Sequence, residues 1–257
     1  MSELLDLALH LADIADAITL DKFTSRAFDV ERKVDHSEVT EVDRDAETAM
    51  RTAMANRRPL DGFYGEEHGR SHVNARFQWV VDPIDGTSNF VRGVPIWATL
   101  IALVIDDEPV IGVVSAPALG RRWWAEKGTG AFVNGKPMRV SRVDSLDEAH
   151  VSITHSRGWS ELGLTPRLVA LQSTAARSRG FGDFWQHMLV AEGAIDVAID
   201  AIGLQPYDNA ALYPIVTEAG GKISDRFGVS SWRSDSQIST NSALHDVVTD
   251  ALRGMEQ

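Results

Sequence analysis

The chain has 257 residues, with 25 Lys and Arg against 37 Asp and Glu, a formal net charge of −12. It contains no cysteine, which excludes disulfides, thiolate zinc sites, iron–sulfur clusters and a cysteine nucleophile, and leaves oxygen and nitrogen groups to carry any chemistry. Hydrophobic residues at 44% and charged residues at 24% lie near globular averages, enough for one large domain or two closely packed halves around a cleft.

At the N-terminus Glu3, Asp6 and Asp13 interrupt the apolar pattern, unlike a secretory signal, so the cytoplasm is the expected location. Leu4, Leu7, Leu11, Ile14 and Ile18 recur at spacings of three and four and predict a helix with one apolar face. A second helix is predicted over 42–57, with Ala46, Ala49, Met50 and Ala53 inward and Pro59, Asp61 and Gly62 ending it. Strands follow at 77–81, at 99–105 and 110–115 as a hairpin, and at 122–126 and 131–133, with Asn134-Gly135 as a turn. The longest uncharged apolar run, 94–105, is too short for a membrane span, which needs about 18 residues. Beyond Ser145 strands and helices alternate: a strand at 150–154, helices at 165–173 and 184–192, a strand at 194–200, a helix at 209–219 stopped by Gly220-Gly221, and a strand at 222–224. A boundary near 140–148, without a linker, divides the chain into halves 1–145 and 146–257.

The most informative segment is Asp82-Pro83-Ile84-Asp85-Gly86-Thr87-Ser88-Asn89-Phe90, where an apolar strand runs into two acids. Pro83 argues against an ordinary strand continuation and Gly86 permits a tight turn, so Asp82 and Asp85 are expected to project together where a strand gives way to a helix. Such a place suits magnesium, which prefers oxygen ligands, and the Gly86 and Thr87 amides would meet a phosphate. Asp-x-x-Asp-Gly-Thr also suits a plain turn with a helix cap. Other acids favour the functional reading: Gly65-Glu66-Glu67 upstream, and Tyr207-Asp208 with Glu218-Ala219-Gly220-Gly221 far downstream.

Together with Asp43 in Val-Thr-Glu-Val-Asp-Arg, these motifs resemble the inositol monophosphatase family of metal-dependent sugar-phosphate phosphatases over nearly the whole chain. The resemblance implies an α/β fold of the αβαβα sandwich type and hydrolysis of a small phosphate ester. It implies Glu66, Asp82, Asp85, Asp208 and the Ile84 carbonyl as metal ligands, and Asp43, Thr87 and Glu66 as catalytic residues that place and activate water. Gly86 and Thr87 would bind phosphate, and Glu67 a further ion through water. Two or three Mg2+ ions, replaceable by Mn2+, would neutralise acids that otherwise repel one another. The resemblance also implies a homodimer, and the short apolar runs predict no membrane partner.

The substrate is a separate question. Inositol phosphatases carry an acid seven residues before the last metal aspartate; here that position is Ala201. The segment Arg179-Gly180-Phe181-Gly182-Asp183-Phe184-Trp185 and the Gln205-Pro206-Tyr207-Asp208 stretch look instead like the histidinol-phosphate phosphatase branch. Asp183, Gln205 and Asp208 are the candidate substrate residues, Asp183 through an ion pair with the substrate ammonium. A helix N-cap is the competing reading of Asp183, and a surface role that of Gln205.

Inositol phosphate or a broader set of sugar phosphates is the same-class alternative. A haloacid-dehalogenase phosphatase, with Asp82 as nucleophile, fits less well because the Asp–Asp spacing is one residue too long. A binding partner of RNA or a transcription complex is opposed by the acidic charge. Among weaker signals, His68 and His72 are four apart but lack a third zinc ligand, and Gly128-Thr129-Gly130 reads as a β-turn. His187 packs or faces the cleft rim, Trp123 and Trp124 divide between core and surface, and Arg32 and Lys33 lie near the phosphate or cover surface.

Overall fold

A computed structural model describes residues 2–32 and 38–253. The first half runs α1 (Glu3–Ser25), β1 (Val30–Arg32), β2 (Glu38–Thr40), α2 (Glu41–Arg57), β3 (Gly62–Gly65), β4 (Gly69–Ser71), β5 (Phe77–Asp85), α3 (Thr87–Arg92), β6 (Ala98–Ile105), β7 (Glu108–Ala116), β8 (Arg121–Glu126), β9 (Ala131–Val133) and β10 (Lys136–Met138). The second runs β11 (His150–Ile153), α4 (Arg157–Glu161), α5 (Thr165–Thr174), β12 (Arg177–Arg179), α6 (Asp183–Ala191), β13 (Val197–Ile199), α7 (Pro206–Asn209), α8 (Leu212–Glu218), β14 (Lys222–Ser224), β15 (Ile238–Thr240) and α9 (His245–Arg253).

Eight strands form the larger sheet in the order β10-β9-β8-β7-β6-β5-β3-β4, antiparallel except where β3 lies parallel to β5. Its central strands read as nearly unbroken apolar runs because both faces are covered. Side-chain alternation assigns the faces: Trp79, Val81, Ile101, Leu103, Ile111 and Val113 meet Leu5, Leu11, Met50 and Met54 of α1 and α2. Val80, Leu100, Ala102 and Val114 point the other way, onto Phe184, Met188, Ile215 and Val216 of α6 and α8. A five-stranded sheet, β12-β11-β13-β15-β14, lies beyond α6. Its far face packs Val151, Val197 and Ile238 on Leu168 and Leu171 of α5 and Val248 and Leu252 of α9. The layers are therefore helix, sheet, helix, sheet, helix. Leu11 is fully buried, and truncating such a leucine to alanine costs about 2–5 kcal/mol.

Two local expectations differ from the structure. Strand β5 continues through Pro83 to Asp85, because its pairing with β6 shifts register between Asp82 and Asp85 and the missing proline N–H falls in that irregularity. The helix predicted over 209–219 is divided into α7 and α8, since Pro214 has no N–H to return to the Ala210 carbonyl. Trp123 is core, whereas Trp124 is half-buried and stacks on Phe132 at 6.0 Å between ring centroids. Among the described residues no helix is long and apolar enough to cross a membrane.

Candidate active site

The end of β5 organises the site. Inside the register shift the Ile84 N–H donates to Asp82 Oδ1 at 2.9 Å, and the Pro83 carbonyl accepts from Thr99 Oγ1 at 2.8 Å. The chain then turns through Gly86 at φ +82°, where a Cβ would stand 3.0 Å from the Ile96 carbonyl, so glycine is required. Asp208 comes from the other half on α7, its Oδ2 held by the Gln205 N–H at 2.7 Å. One carboxylate oxygen from each of Asp82, Asp85 and Asp208 lies within 4.8 Å of the others.

These acids are strained electrostatically. Burial first, then the Glu66, Asp85 and Asp208 charges, hold Asp82 well above the usual carboxylate range. Burial and the Asp183 charge do the same to Asp85, and burial lifts Asp208 to about 7 against the opposing Gln205 N–H. A buried, all-oxygen, mutually repelling donor set fits a hard divalent cation, whose charge would return the acids to their ionised form.

Asp43 enters from the first turn of α2. Thr40 closes a capping box with it: the Thr40 N–H and Oγ1 donate to Asp43 Oδ2 at 2.8 and 2.6 Å. Burial raises the Asp43 carboxyl to about 6, opposed by those two bonds. Thr87 Oγ1 has a single proton; its nearer acceptor is the Ile84 carbonyl at 2.9 Å, with Asp43 Oδ1 at 3.4 Å.

Glu66 lines a cavity of about 530 Å3 with Gly86, Thr87, Ser88, Asp183, Arg92, Arg32 and Glu38. It stands outside the tight Asp82, Asp85 and Asp208 set, although its charge acts on Asp43, Asp82 and Asp208. Asp183 opens α6 with φ +48°, and its Oδ2 accepts from Asn89 Nδ2 at 2.9 Å. Gly182 takes the N-cap position, and the Phe184 N–H of that first turn donates to Asp85 Oδ2 at 2.8 Å, so Asp183 is not the cap of its own helix. Gln205 serves Asp208 through its backbone, while its exposed side chain donates from Nε2 to the Gly203 carbonyl at 3.2 Å.

The remaining candidates separate from the site. His68 meets Thr48 Oγ1 and His72 meets the Asp61 carbonyl, so the two rings do not share a ligand position. His187 is buried between Ser239 Oγ and Asp200 Oδ2. Gly128 and Gly130 donate their N–H groups to the Glu218 carboxylate. Lys33 lies outside the described residues. Asn89, Arg92 and Glu47 were missed as individual residues; Asn89 lay within the acidic motif, and Glu47 is one helical turn beyond Asp43.

Residues 1–255 match the model of the inositol monophosphatase family. The chain belongs to the inositol monophosphatase family. Its similarity to curated relatives places it among phosphatases: it is 46% identical over 251 residues to a histidinol-phosphatase of Mycobacterium tuberculosis, covering 96% of each chain. It is 43% identical to a histidinol-phosphatase of Streptomyces coelicolor, covering 94% of each. Among solved inositol monophosphatase folds, the Thermotoga maritima IMPase superposes with a TM-score of 0.88 at 30% identity, over 98% of this chain and 97% of that one. The extragenic suppressor protein suhB from Bartonella henselae superposes with a TM-score of 0.90 at 28% identity, over 99% and 100%.

Proposed function

We propose that the protein hydrolyses L-histidinol phosphate to L-histidinol and phosphate, with magnesium or manganese held by Glu66, Asp82, the Ile84 carbonyl, Asp85 and Asp208. The observation that carries this reading is the position of Asp183. Its Oδ2 would lie only 3.4 Å from a Cβ on Gly86, which puts a carboxylate beside the turn expected to receive the phosphate. In histidinol phosphate the amine sits on the carbon next to the ester methylene, so a substrate whose phosphate meets Gly86 and Thr87 brings its ammonium to this carboxylate. Asp183 Oδ2 accepts one hydrogen bond from Asn89, and an ionised carboxylate has further lone pairs with which to accept from an ammonium. The similarity to two histidinol-phosphatases and the alanine at 201 support the same substrate.

When bound, the divalent cations supply Lewis acidity to the phosphoryl group and lower the pKa of water. The chain's own residues do the rest. Thr87, donating to the Ile84 carbonyl, fixes that ligand and presents its oxygen towards Asp43. Asp43, at about 6, is ionised at neutral pH and takes the proton of the attacking water at Oδ1. The water oxygen bonds to phosphorus, the bond from phosphorus to the ester oxygen breaks, and the ester oxygen leaves with the bonding pair and takes up, through solvent, the proton that Asp43 accepted, which returns Asp43 to its ionised form. The Gly86 and Thr87 amides hold the phosphoryl oxygens. A cytoplasmic homodimer acting late in histidine biosynthesis completes the proposal.

Inositol 1-phosphate or a wider range of sugar phosphates is the second reading, favoured by the likeness to the Thermotoga maritima IMPase. Phosphate release from histidinol phosphate and inositol 1-phosphate, measured in parallel with magnesium, separates the two. A preference of about a hundredfold in kcat/KM for histidinol phosphate, roughly 2.7 kcal/mol, is expected. The reverse preference would retain the metal site and discard the assignment of Asp183.

A further inference from the structure

Glu47 is a charged side chain with no exposed surface, four residues after Asp43 on the same helix. A buried carboxylate is tolerated only where its lone pairs are met. Here Oε2 accepts the Glu67 N–H at 2.7 Å, and Oε1 accepts the His68 N–H at 3.2 Å and Arg51 Nε at 2.8 Å. Arg51 also reaches the Gly69 carbonyl, and its guanidinium lies 4.5 Å over the Phe63 ring. The fit is close: a Cβ on Gly65 would stand 2.1 Å from Glu47 Oε1. On the other side, the Glu66 N–H donates to the Val81 carbonyl, one residue before Asp82.

We propose that Glu47 is a positioning residue, which sets the Glu66-Glu67 turn at a fixed distance from Asp43 and Asp82 and thereby tunes the affinity of the site for divalent cations. The inference rests on the metal reading above but not on the choice of substrate. Helix α2 presents Asp43 and Glu47 one turn apart, one to the reacting water and the other to the turn that carries Glu66. Strand β5 contributes Val81 and Asp82 in the same way. The backbone of Glu66 is thus clamped between the two elements that deliver its neighbouring acids. A plain staple of the β3–β4 hairpin would not need a third carboxylate beside Glu66 and Glu67, where like charges oppose one another; fixed placement of a ligand turn accounts for it.

The test uses Glu47→Gln, which keeps the shape but substitutes an amide donor for one acceptor, and Gly65→Ala, which pushes the carboxylate off the turn amides without removing its charge. Phe63→Leu loosens the same hairpin without touching those amides. Mn2+ is titrated into the metal-free full-length proteins and its binding is followed by electron paramagnetic resonance, beside thermal melts. Glu47→Gln and Gly65→Ala are expected to bind Mn2+ about tenfold or more weakly. Their metal dependence of turnover should shift by the same factor, with the substrate KM at saturating metal within about twofold of wild type. Phe63→Leu should lose thermal stability and keep its Mn2+ affinity. Wild-type affinity in a folded Glu47→Gln overturns the proposal, as does failure of both variants to fold, which would assign Glu47 to the hairpin alone. Absence of Mn2+ binding by the wild type overturns the metal reading itself, whereas a preference for another phosphate ester leaves this inference standing.

Discussion

The carboxylate of Asp85, at the end of β5, accepts the backbone N–H of Phe184 in the first turn of α6 at 2.8 Å. A candidate metal ligand from one half therefore also satisfies a helix terminus of the other, across 99 positions of sequence. Asn89, bonded to both the Ile96 carbonyl and Asp183, makes a second link beside it. The geometry of the acids and the packing of the halves are one arrangement, so a substitution must be read for both.

Asp85→Asn separates them. An asparagine Oδ1 can still accept the Phe184 N–H, so the fold should persist, while the charge of a proposed metal ligand is lost. Magnesium-dependent phosphate release is expected to fall by at least about a hundredfold. The metal-free variant should melt no lower than wild type, because one member of a repelling set has been neutralised. Turnover near the wild-type rate would remove Asp85 from the site.

Metal-free protein should lose stability as pH rises. The folded pKa values of Asp82, Asp85 and Asp208 are raised by burial, so the native state holds more protons than the unfolded chain between about 4 and the folded values, about 7 for Asp208. Stability carried by these groups is complete below the unfolded pKa and declines as pH climbs through the folded one. Thermal melts across pH 5 to 8 with a chelator should show the decline, and Mg2+ should reverse it most at the alkaline end. A melting temperature that rises with pH in the chelated protein contradicts the electrostatic account.

Periodicity made α1, α2 and the central strands of the large sheet legible, because helices and doubly covered strands leave patterns within a few residues, whereas the layering itself was implied by the family resemblance. The acidic motif was legible for the same reason, since Asp82, Asp85, Gly86 and Thr87 lie within six positions. What escaped was set by distance and by backbone detail. Nothing local announces that Asn89 meets Asp183, or that Glu47 holds the Glu67 amide, because each pair is joined only by tertiary packing, the first between α3 and α6 and the second between α2 and the β3–β4 turn. Pro83 read as a strand terminator because a register shift in the partner strand cannot be seen from one strand alone.

Asp183→Asn tests the ammonium reading with little disturbance of the backbone, since asparagine tolerates the positive φ that Asp183 adopts. The kcat/KM for histidinol phosphate should fall about tenfold or more beyond the fall for an uncharged alkyl phosphate, in line with loss of a charge-assisted bond. Equal losses on both esters would leave Asp183 with the structural link to Asn89 and no part in substrate choice.

Thr40→Val reaches Asp43, the proposed proton acceptor, without touching it. The substitution removes the Oγ1 bond to Asp43 and the Oγ1 acceptor for the Val42 N–H, but keeps the backbone donor to the same carboxylate. Loss of the cap should cost about 1 kcal/mol of stability. The lost bond favoured the ionised carboxyl, so the Asp43 pKa must move upward from its value of about 6. A base that protonates at higher pH is silenced at higher pH, and the acidic limb of the kcat/KM profile should shift in the alkaline direction, with the plateau above it reduced less than the activity at pH 6. An unmoved acidic limb in a folded variant would mean that the limb reports another group, and that Asp43 serves the site as a fixed charge.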